Sequence, residues 1–211
     1  ALYRFPNKID TITKALQVVG TRSTYDLALA FGVSQAFKEI DGQVIDLDKF
    51  WEQSVSCGLL AKYFAEMRNI REPERLFVAG LLHNIGELVV VDMLPDSAKR
   101  CQAFNARVSP AELQAGVLGY TFTNVSAGII KEWGIPETIY KPIANIHGEK
   151  RNQSDIEEQI LQLSYVLALD NVNSEIYPSY NNLKPELHES LSLNRDDLED
   201  ALDITNLQCI S

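Results

Sequence analysis

Residues 73–91 read PERLFVAGLLHNIGELVVV, and this stretch is apolar on nearly all sides of a helix. Pro73 suits the first helical turn, where the N–H that proline lacks would have no partner. A helix that is apolar all round is typical of the centre of a bundle, because each of its faces needs a neighbour to bury it. The stretch therefore predicts one buried helix over residues 73–91, with His83 and Asn84 inside it.

Helical periodicity also dominates the rest of the chain. From Leu47 to Met67, apolar and small residues recur at intervals of three and four, which predicts an amphipathic helix. Further helices are predicted over residues 9–16 and 25–37, and over two stretches within 111–133 that meet at Gly119-Tyr120 and end at Trp133-Gly134-Ile135-Pro136. The next helix is predicted from Pro136 toward His147-Gly148, and Pro142 either kinks it or resets its start. The last two are predicted from a capping box at Ser154-x-x-Glu157 and from Asn194 with Asp197. Residues 173–185 are predicted to form a loop. Long strand-like alternation is absent, so the fold class is all-α.

Composition sets limits on function. The chain has 211 residues, of which 45% are apolar, and its formal net charge of −10 disfavours binding to nucleic acid. The longest apolar run, residues 76–82, is far shorter than the ~20 residues of a membrane helix. No secretion signal opens the sequence, so the expected location is the cytoplasm. Cys57, Cys101 and Cys209 are odd in number and widely spaced, which predicts reduced thiols.

The chain shows no repeat, low-complexity stretch or convincing linker. A single helical domain over residues 1–211 is therefore expected, in which about residues 171–211 form a C-terminal helical extension. The sequence begins Ala1-Leu2 without Met, as a piece of a longer protein would.

Four stretches in fixed order carry a family resemblance. They are LYRFPNKI (2–9) with ALQVVG (15–20), FWEQS (50–54), FVAGLLHNIG (77–86) with Leu88, and WGIP (133–136) running to His147. Together they resemble the HDOD domain, a relative of the HD phosphohydrolases that occurs in bacterial signalling proteins. The resemblance implies a compact multi-helix bundle of the HD/HDOD type. It also implies further helices before Ala1, so the N-terminal helical part of such a domain is expected to be missing here.

The resemblance also implies where a metal site would lie. Laid over the ligand pattern of active HD enzymes, Gln53 stands at a His position, His83-Asn84 at the His-Asp pair, Phe122 at a later His, His147-Gly148 at a His-His pair and Tyr165 at the closing Asp. A carboxylate can bridge two hard cations, whereas an asparagine offers one neutral carbonyl oxygen. No metal or other cofactor is therefore expected. Gln53, His83, Asn84, His147 and Tyr165 are instead expected to cluster as a hydrogen-bonded remnant of the pocket, with no catalytic residue.

Three functional readings follow. The leading hypothesis is a non-catalytic signal-transduction module whose partners are signalling proteins or domains of the sensory, response-regulator or cyclic-dinucleotide kind. The alternative is an active metal-dependent phosphohydrolase acting on a nucleotide or other phosphoester, in which Glu52, Glu87, Asp92 or Glu149 replaces a lost carboxylate. Ordinary roles are favoured for these acids, with Glu87 and Glu149 at helix ends and Glu52 facing solvent. The third reading is a scaffold without a ligand, in which His83 is a core residue. The sequence gives no oligomeric state.

Overall fold

The computed structural model describes Gly32, Ile40, residues 42–148 and residues 155–210, with side chains to residue 207. The helices in these parts are α1 (Leu47–Met67), α2 (Glu74–Leu82), α3 (Ile85–Met93), α4 (Pro95–Cys101), α5 (Pro110–Leu118), α6 (Phe122–Glu132), α7 (Glu137–Ala144), α8 (Ile156–Asn173), α9 (Pro185–Glu189) and α10 (Arg195–Ile210). The described residues contain no strand, only an isolated bridge between Asn105 and Val108. The predicted all-helical fold is confirmed. The helices predicted over residues 9–16 and 25–37 lie outside the described residues.

Helix α1 lies at the centre of the bundle and packs against α2, α8 and α10. Its bounds are those that the periodicity predicts. The Asp46 carboxylate caps its start by accepting hydrogen bonds from the backbone N–H groups of Asp48 (3.0 Å) and Lys49 (3.1 Å). Such a cap satisfies donors that a helix start otherwise leaves open. The buried face of α1 carries aromatic and aliphatic side chains into the common core, and Gln53 lies at the edge of this face.

Backbone contact between α1 and α2 depends on two glycines. A β-carbon built on Gly80 would lie 2.6 Å from the Gly58 Cα and 2.7 Å from the Cys57 carbonyl oxygen. No side chain fits there without moving a helix, because the neighbouring atoms are backbone. This close approach fixes α2 against α1 just before His83.

The prediction of a single helix over residues 73–91 is wrong, because the structure has two helices there. The helix is interrupted at His83-Asn84, where the φ of Asn84 is −113° and its ψ is 9°, so α3 starts anew at Ile85. Gly86 then brings α3 against α6, so closely that an added β-carbon would collide with the Phe122 carbonyl oxygen. An apolar pattern on all sides gives no sign of such a break, because both short helices are buried equally well. The interruption places two polar side chains in the core.

The stretch Glu74–Met93 is, by length and composition, apolar enough to cross a membrane. However, 78% of its most apolar 18-residue segment is buried, as is common for the core helix of a bundle.

Helix ends after residue 109 follow the turn signals in the sequence. Gly119 (φ 81°) and Gly134 (φ 74°) adopt the left-handed conformation after α5 and α6, which confirms the predicted boundaries. Helix α7 continues through Pro142, so of the two predicted alternatives the proline does not reset the start of the helix. Helix α8 begins at Ile156, with Asp155 as its N-cap, one residue later than a cap at Ser154 predicts; Ser154 lies outside the described residues.

The C-terminal helices return to the centre of the bundle. The Asn194 backbone N–H donates to the Asp197 carboxylate (2.7 Å) and the Asp197 N–H donates to the Asn194 side-chain oxygen (3.0 Å). This reciprocal cap confirms the predicted start of α10, which packs against α1. The predicted loop also agrees with the structure, because α8 ends at Asn173 and α9 begins at Pro185.

Candidate functional site

The structure brings the predicted remnant residues together from four places in the fold. Gln53 comes from α1, His83 and Asn84 from the break between α2 and α3, His147 from the turn after α7, and Tyr165 from α8. The Gln53 Nε2 lies 3.4 Å from the His83 Nε2. The ring centroids of His83 and Tyr165 are 5.6 Å apart, and those of Tyr165 and His147 are 4.9 Å apart. Both ring pairs meet edge to face.

His83 is fully buried and held in one tautomer. Its Nδ1 lies 2.5 Å from the Gly80 carbonyl oxygen, which can only accept, so Nδ1 carries the proton. Burial lowers the pKa of His83 to about 4, although the bond to Gly80 opposes this change, so the ring is neutral at pH 7. The Nε2 is then an acceptor, and the Gln53 amide donates to it.

Tyr165 and His147 are also neutral. Burial, and next the nearby His83, lowers the pKa of His147 to about 4, while burial raises the pKa of the Tyr165 hydroxyl above its usual value. Within the part of the chain that the structure describes, neither the Tyr165 hydroxyl nor the ring nitrogens of His147 have a hydrogen-bond partner. These groups are available to a bound molecule.

Asn84 binds an acid that the sequence reasoning treated as ordinary. Glu87 lies in the first turn of α3, as predicted, but it is only 8% exposed, and its carboxylate accepts from the side-chain amides of Asn84 and Gln102. Burial raises its pKa to about 7, although both amide bonds act in the opposite direction. One signal could have revealed it, because an acid on a helix that is apolar all round has no solvent-facing side.

The other acids weighed as replacement ligands lie elsewhere. Glu52 is partly buried and burial raises its pKa, so the prediction that it faces solvent is wrong. It sits on α1 next to Gln53, where the packing of neighbouring elements covers it in part. Asp92 is exposed near the end of α3, and Glu149 lies outside the described residues. Among the described residues, no three His, Cys, Asp or Glu side chains group in a way that could hold a metal ion.

The Tyr165 side chain lines two cavities. The small cavity, of about 90 Å³, is lined by Gln53, Asn84, Glu87, Gln102, Gln114, Phe122 and Tyr165, with other residues at its rim. The second cavity, of about 730 Å³, is a groove that we call the Tyr165 groove. Its lining residues include His147, Tyr165, Leu169, Tyr177 and Leu187. His83 lines neither of the two. The other predicted remnant residues are therefore distributed over two cavities, which share Pro110, Tyr165 and Leu169 as lining residues.

The donor set does not fit the two hard cations that the family resemblance implies. The positions that the resemblance aligns with metal ligands hold two imidazoles and two neutral amides, together with a phenol whose pKa is raised and a phenyl ring. These residues are His83, His147, Gln53, Asn84, Tyr165 and Phe122. Hard divalent cations prefer carboxylate and other oxygen ligands that offset their charge. A metal on the His83 Nε2 would also have to displace the Gln53 amide.

Comparison with known proteins gives consistent results. The model of the HDOD domain matches residues 1–149. An uncharacterized protein of Treponema pallidum (strain Nichols) is 24% identical over 142 residues, which are 64% of this chain and 26% of the relative. The chain therefore spans about a quarter of that relative's length.

Solved structures share the fold at low sequence identity. A protein of Shewanella amazonensis SB2B, provisionally described as a phosphohydrolase, has a TM-score of 0.62 at 20% identity, over 94% of this chain and 71% of that one. A protein of Marinobacter aquaeolei VT8, provisionally described as a signal transduction protein, has a TM-score of 0.62 at 20% identity, over 76% of this chain and 36% of that one. The MmoQ response regulator of Methylococcus capsulatus has a TM-score of 0.54 at 16% identity, over 75% and 62%. With the family match covering more than half of its residues, the chain belongs to the HDOD domain family.

Proposed function

We propose that this HDOD domain is a non-catalytic signal-transduction module with a degenerate metal site, which acts in the cytoplasm by binding a protein or a small ligand. Its expected partners are sensory, response-regulator or cyclic-dinucleotide signalling modules. The fold is shared with proteins described in signalling terms, the Marinobacter protein and the MmoQ response regulator. That likeness supports the general role, while the argument against catalysis comes from the site.

The observation that carries the proposal is the way His83 is used. Its Nδ1 binds the Gly80 carbonyl, as the second nitrogen of a metal-bound histidine often binds a carbonyl group. Its Nε2, which would face the metal, is instead 3.4 Å from the Gln53 amide nitrogen. This arrangement supports a site in which a neutral donor, and not a cation, neighbours the His83 Nε2.

Charge supports the same conclusion. A metal-activated hydroxide needs a cation that anionic ligands hold in place. The buried acid nearest to Asn84 is Glu87, and both of its oxygens accept from amides. Because its pKa is about 7, a substantial fraction of Glu87 is uncharged at neutral pH.

The second candidate is a metal-dependent phosphohydrolase. The observation in its favour is that Glu87 lines the small cavity together with Gln53 and Asn84, so its carboxylate could stand in for the lost aspartate. This function requires Glu87 to release its amide partners and bind a cation. It predicts hydrolysis that depends on both metal and His83.

Hydrolysis of bis-p-nitrophenyl phosphate tests the proposal. The protein is purified without chelators and assayed with added Fe²⁺ or Mn²⁺, beside a His83→Gln variant whose helical content is checked by circular dichroism. We expect the same background rate from both proteins, because no hydroxide is activated. A metal-dependent rate that the variant loses would refute the non-catalytic function.

A restored variant tests how far the site has degenerated. Gln53→His together with Asn84→Asp returns two ligand types, but Phe122 and Tyr165 still occupy other expected ligand positions. We expect no tight metal binding by isothermal titration with Mn²⁺. Binding in the micromolar range would show that the remaining ligands suffice.

A further inference from the structure

The Tyr165 groove has the size of a small-molecule site. Its volume of about 730 Å³ lies within the ~300–1,000 Å³ typical of such sites. The start of α5, the turn after α7, one face of α8 and residues 177–187 surround it. Glu87 lines the small cavity and is not among the residues that line this groove.

Polar groups on the inner side of the groove have unused hydrogen-bonding capacity. Tyr165 is only 7% exposed and lines the groove, and its hydroxyl is unbonded within the described residues. The neutral His147 ring beside it offers one N–H and one acceptor nitrogen. Neither group is among the fully buried side-chain atoms that lack a partner, so a molecule bound in the groove would replace water at both of them.

The walls of the groove are suited to a flat apolar body. Ile146, Val166, Leu169 and Leu187 supply aliphatic surface, and Tyr177 adds a third ring to those of Tyr165 and His147. A planar ring compound can contact these rings edge to face or offset, the geometries that aromatic pairs prefer. The combination of aliphatic walls with a donor and acceptor pair favours a planar ring compound over a flexible chain.

The charge of the chain disfavours an anion in the groove. Among the described residues that line the groove, Glu112, Glu186 and Lys184 are charged, and the chain as a whole has a net charge of −10. The negative net charge of the chain therefore favours an uncharged ligand over a phosphate or carboxylate.

We propose that the Tyr165 groove binds an uncharged, planar heteroaromatic compound with adjacent hydrogen-bond donor and acceptor groups, which bond to His147 and Tyr165. The proposal rests on the proposed function, because it names the kind of small ligand that the module would sense. The donor and acceptor pair gives specificity, and the ring gives most of the buried area.

Titration followed by ¹H–¹⁵N NMR tests the proposal with the whole chain. The probe is 4(3H)-quinazolinone, an uncharged bicyclic lactam with adjacent N–H and C=O groups, and the comparison compound is its 3-methyl derivative, which lacks the N–H. We expect saturable shifts at residues of the groove with a Kd of about 1 mM or lower. The methylated compound should bind about 5-fold more weakly, as the loss of one hydrogen bond implies.

Matched variants locate the binding. Tyr165→Phe and His147→Phe keep the rings but remove hydrogen-bonding groups, so each should weaken binding about 5-fold. Tyr120→Phe removes a hydroxyl from an exposed tyrosine outside the groove and should leave the Kd unchanged. Equal binding by all variants, no saturable shift up to 10-fold above ~1 mM, or tighter binding of AMP than of the lactam would overturn the proposal.

Metal analysis of the NMR sample separates the two proposals. Absence of lactam binding in a metal-free sample refutes the ligand class and leaves the non-catalytic function intact. Stoichiometric iron or manganese bound through His83 refutes the non-catalytic function, whatever the lactam does.

Discussion

Removing the charge of Glu87 should stabilise the protein in a pH-dependent way. The Glu87→Gln substitution keeps the shape of the side chain and its bonds to amides, since one amide can turn over to accept from the new NH₂ group. The pKa of Glu87 rises from its ordinary value of 4.5 to about 7 on folding, because burial penalises the charged form. The folded state therefore holds the proton more tightly than the unfolded state.

The linkage between proton binding and folding gives the sign and the size of this change in the free energy of unfolding. Below pH 4.5 the carboxyl is neutral in both states and costs nothing; as the pH rises to about 7, folding has to keep a proton or bury a charge. A pKa change of this size corresponds to about 3 kcal/mol of stability, lost over that interval. The glutamine variant pays no such penalty. Its advantage over the natural protein should be small at pH 5 and approach about 3 kcal/mol at pH 8.

Urea unfolding of both proteins between pH 5 and pH 8 measures the effect. The difference between the two free energies of unfolding isolates Glu87, because the histidines contribute equally to both. The difference should grow with pH by about 1 kcal/mol or more for each pH step within the window. A difference that stays constant over this range would refute the burial and pKa assigned to Glu87.

Three further predictions follow from the packing and the burial. His83 and His147 should titrate by NMR with pKa values of about 4, below the ordinary 6.5, so their stabilising contribution is present above pH 6.5 and is lost as the pH falls toward 4; titration of both near 6.5 would contradict the buried geometry. Gly80→Ala should destabilise the protein by about 3 kcal/mol in urea unfolding, because its β-carbon meets the backbone of α1. Gly116→Ala, with no heavy atom of the described neighbours within 4 Å of the new β-carbon, should be neutral or stabilising by up to ~1 kcal/mol. Similar effects at both glycines would speak against the α1–α2 contact. Asn194→Ala should cost about 1 kcal/mol through loss of the α10 cap, and an unchanged thermal midpoint would show that the cap contributes nothing.

The sequence predicts those parts of the fold where local signals agree with packing. Helix α1 has an amphipathic pattern and an acidic cap, and its predicted bounds match the structure. The sequence does not predict the break at His83-Asn84, because the surrounding residues are apolar on every side. No buried face can then be told from an exposed one, so the pattern does not change where the helix is interrupted. The close approach of Gly86 to α6 that accompanies the break is a tertiary contact, which no local pattern contains.

The candidate site was predictable only in part, for a similar reason. The family resemblance placed Gln53, His83, His147 and Tyr165 near one another, and the structure joins them through a hydrogen bond and two ring contacts. The Glu87 contact with Gln102 comes from separate elements, α3 and the end of α4, and depends on how these helices turn against each other. The distribution of the predicted residues over two cavities likewise depends on side-chain packing.

The metal content of the protein tests the central claim most directly. The full chain is produced in medium supplemented with iron and manganese, purified without chelators and measured by mass spectrometry of the elements, beside the His83→Gln variant. The account predicts well below about one ion per chain in both proteins, because neutral amides and a neutral phenol do not offset the charge of hard cations. About two ions per chain in the natural protein, lost in the variant, would contradict it.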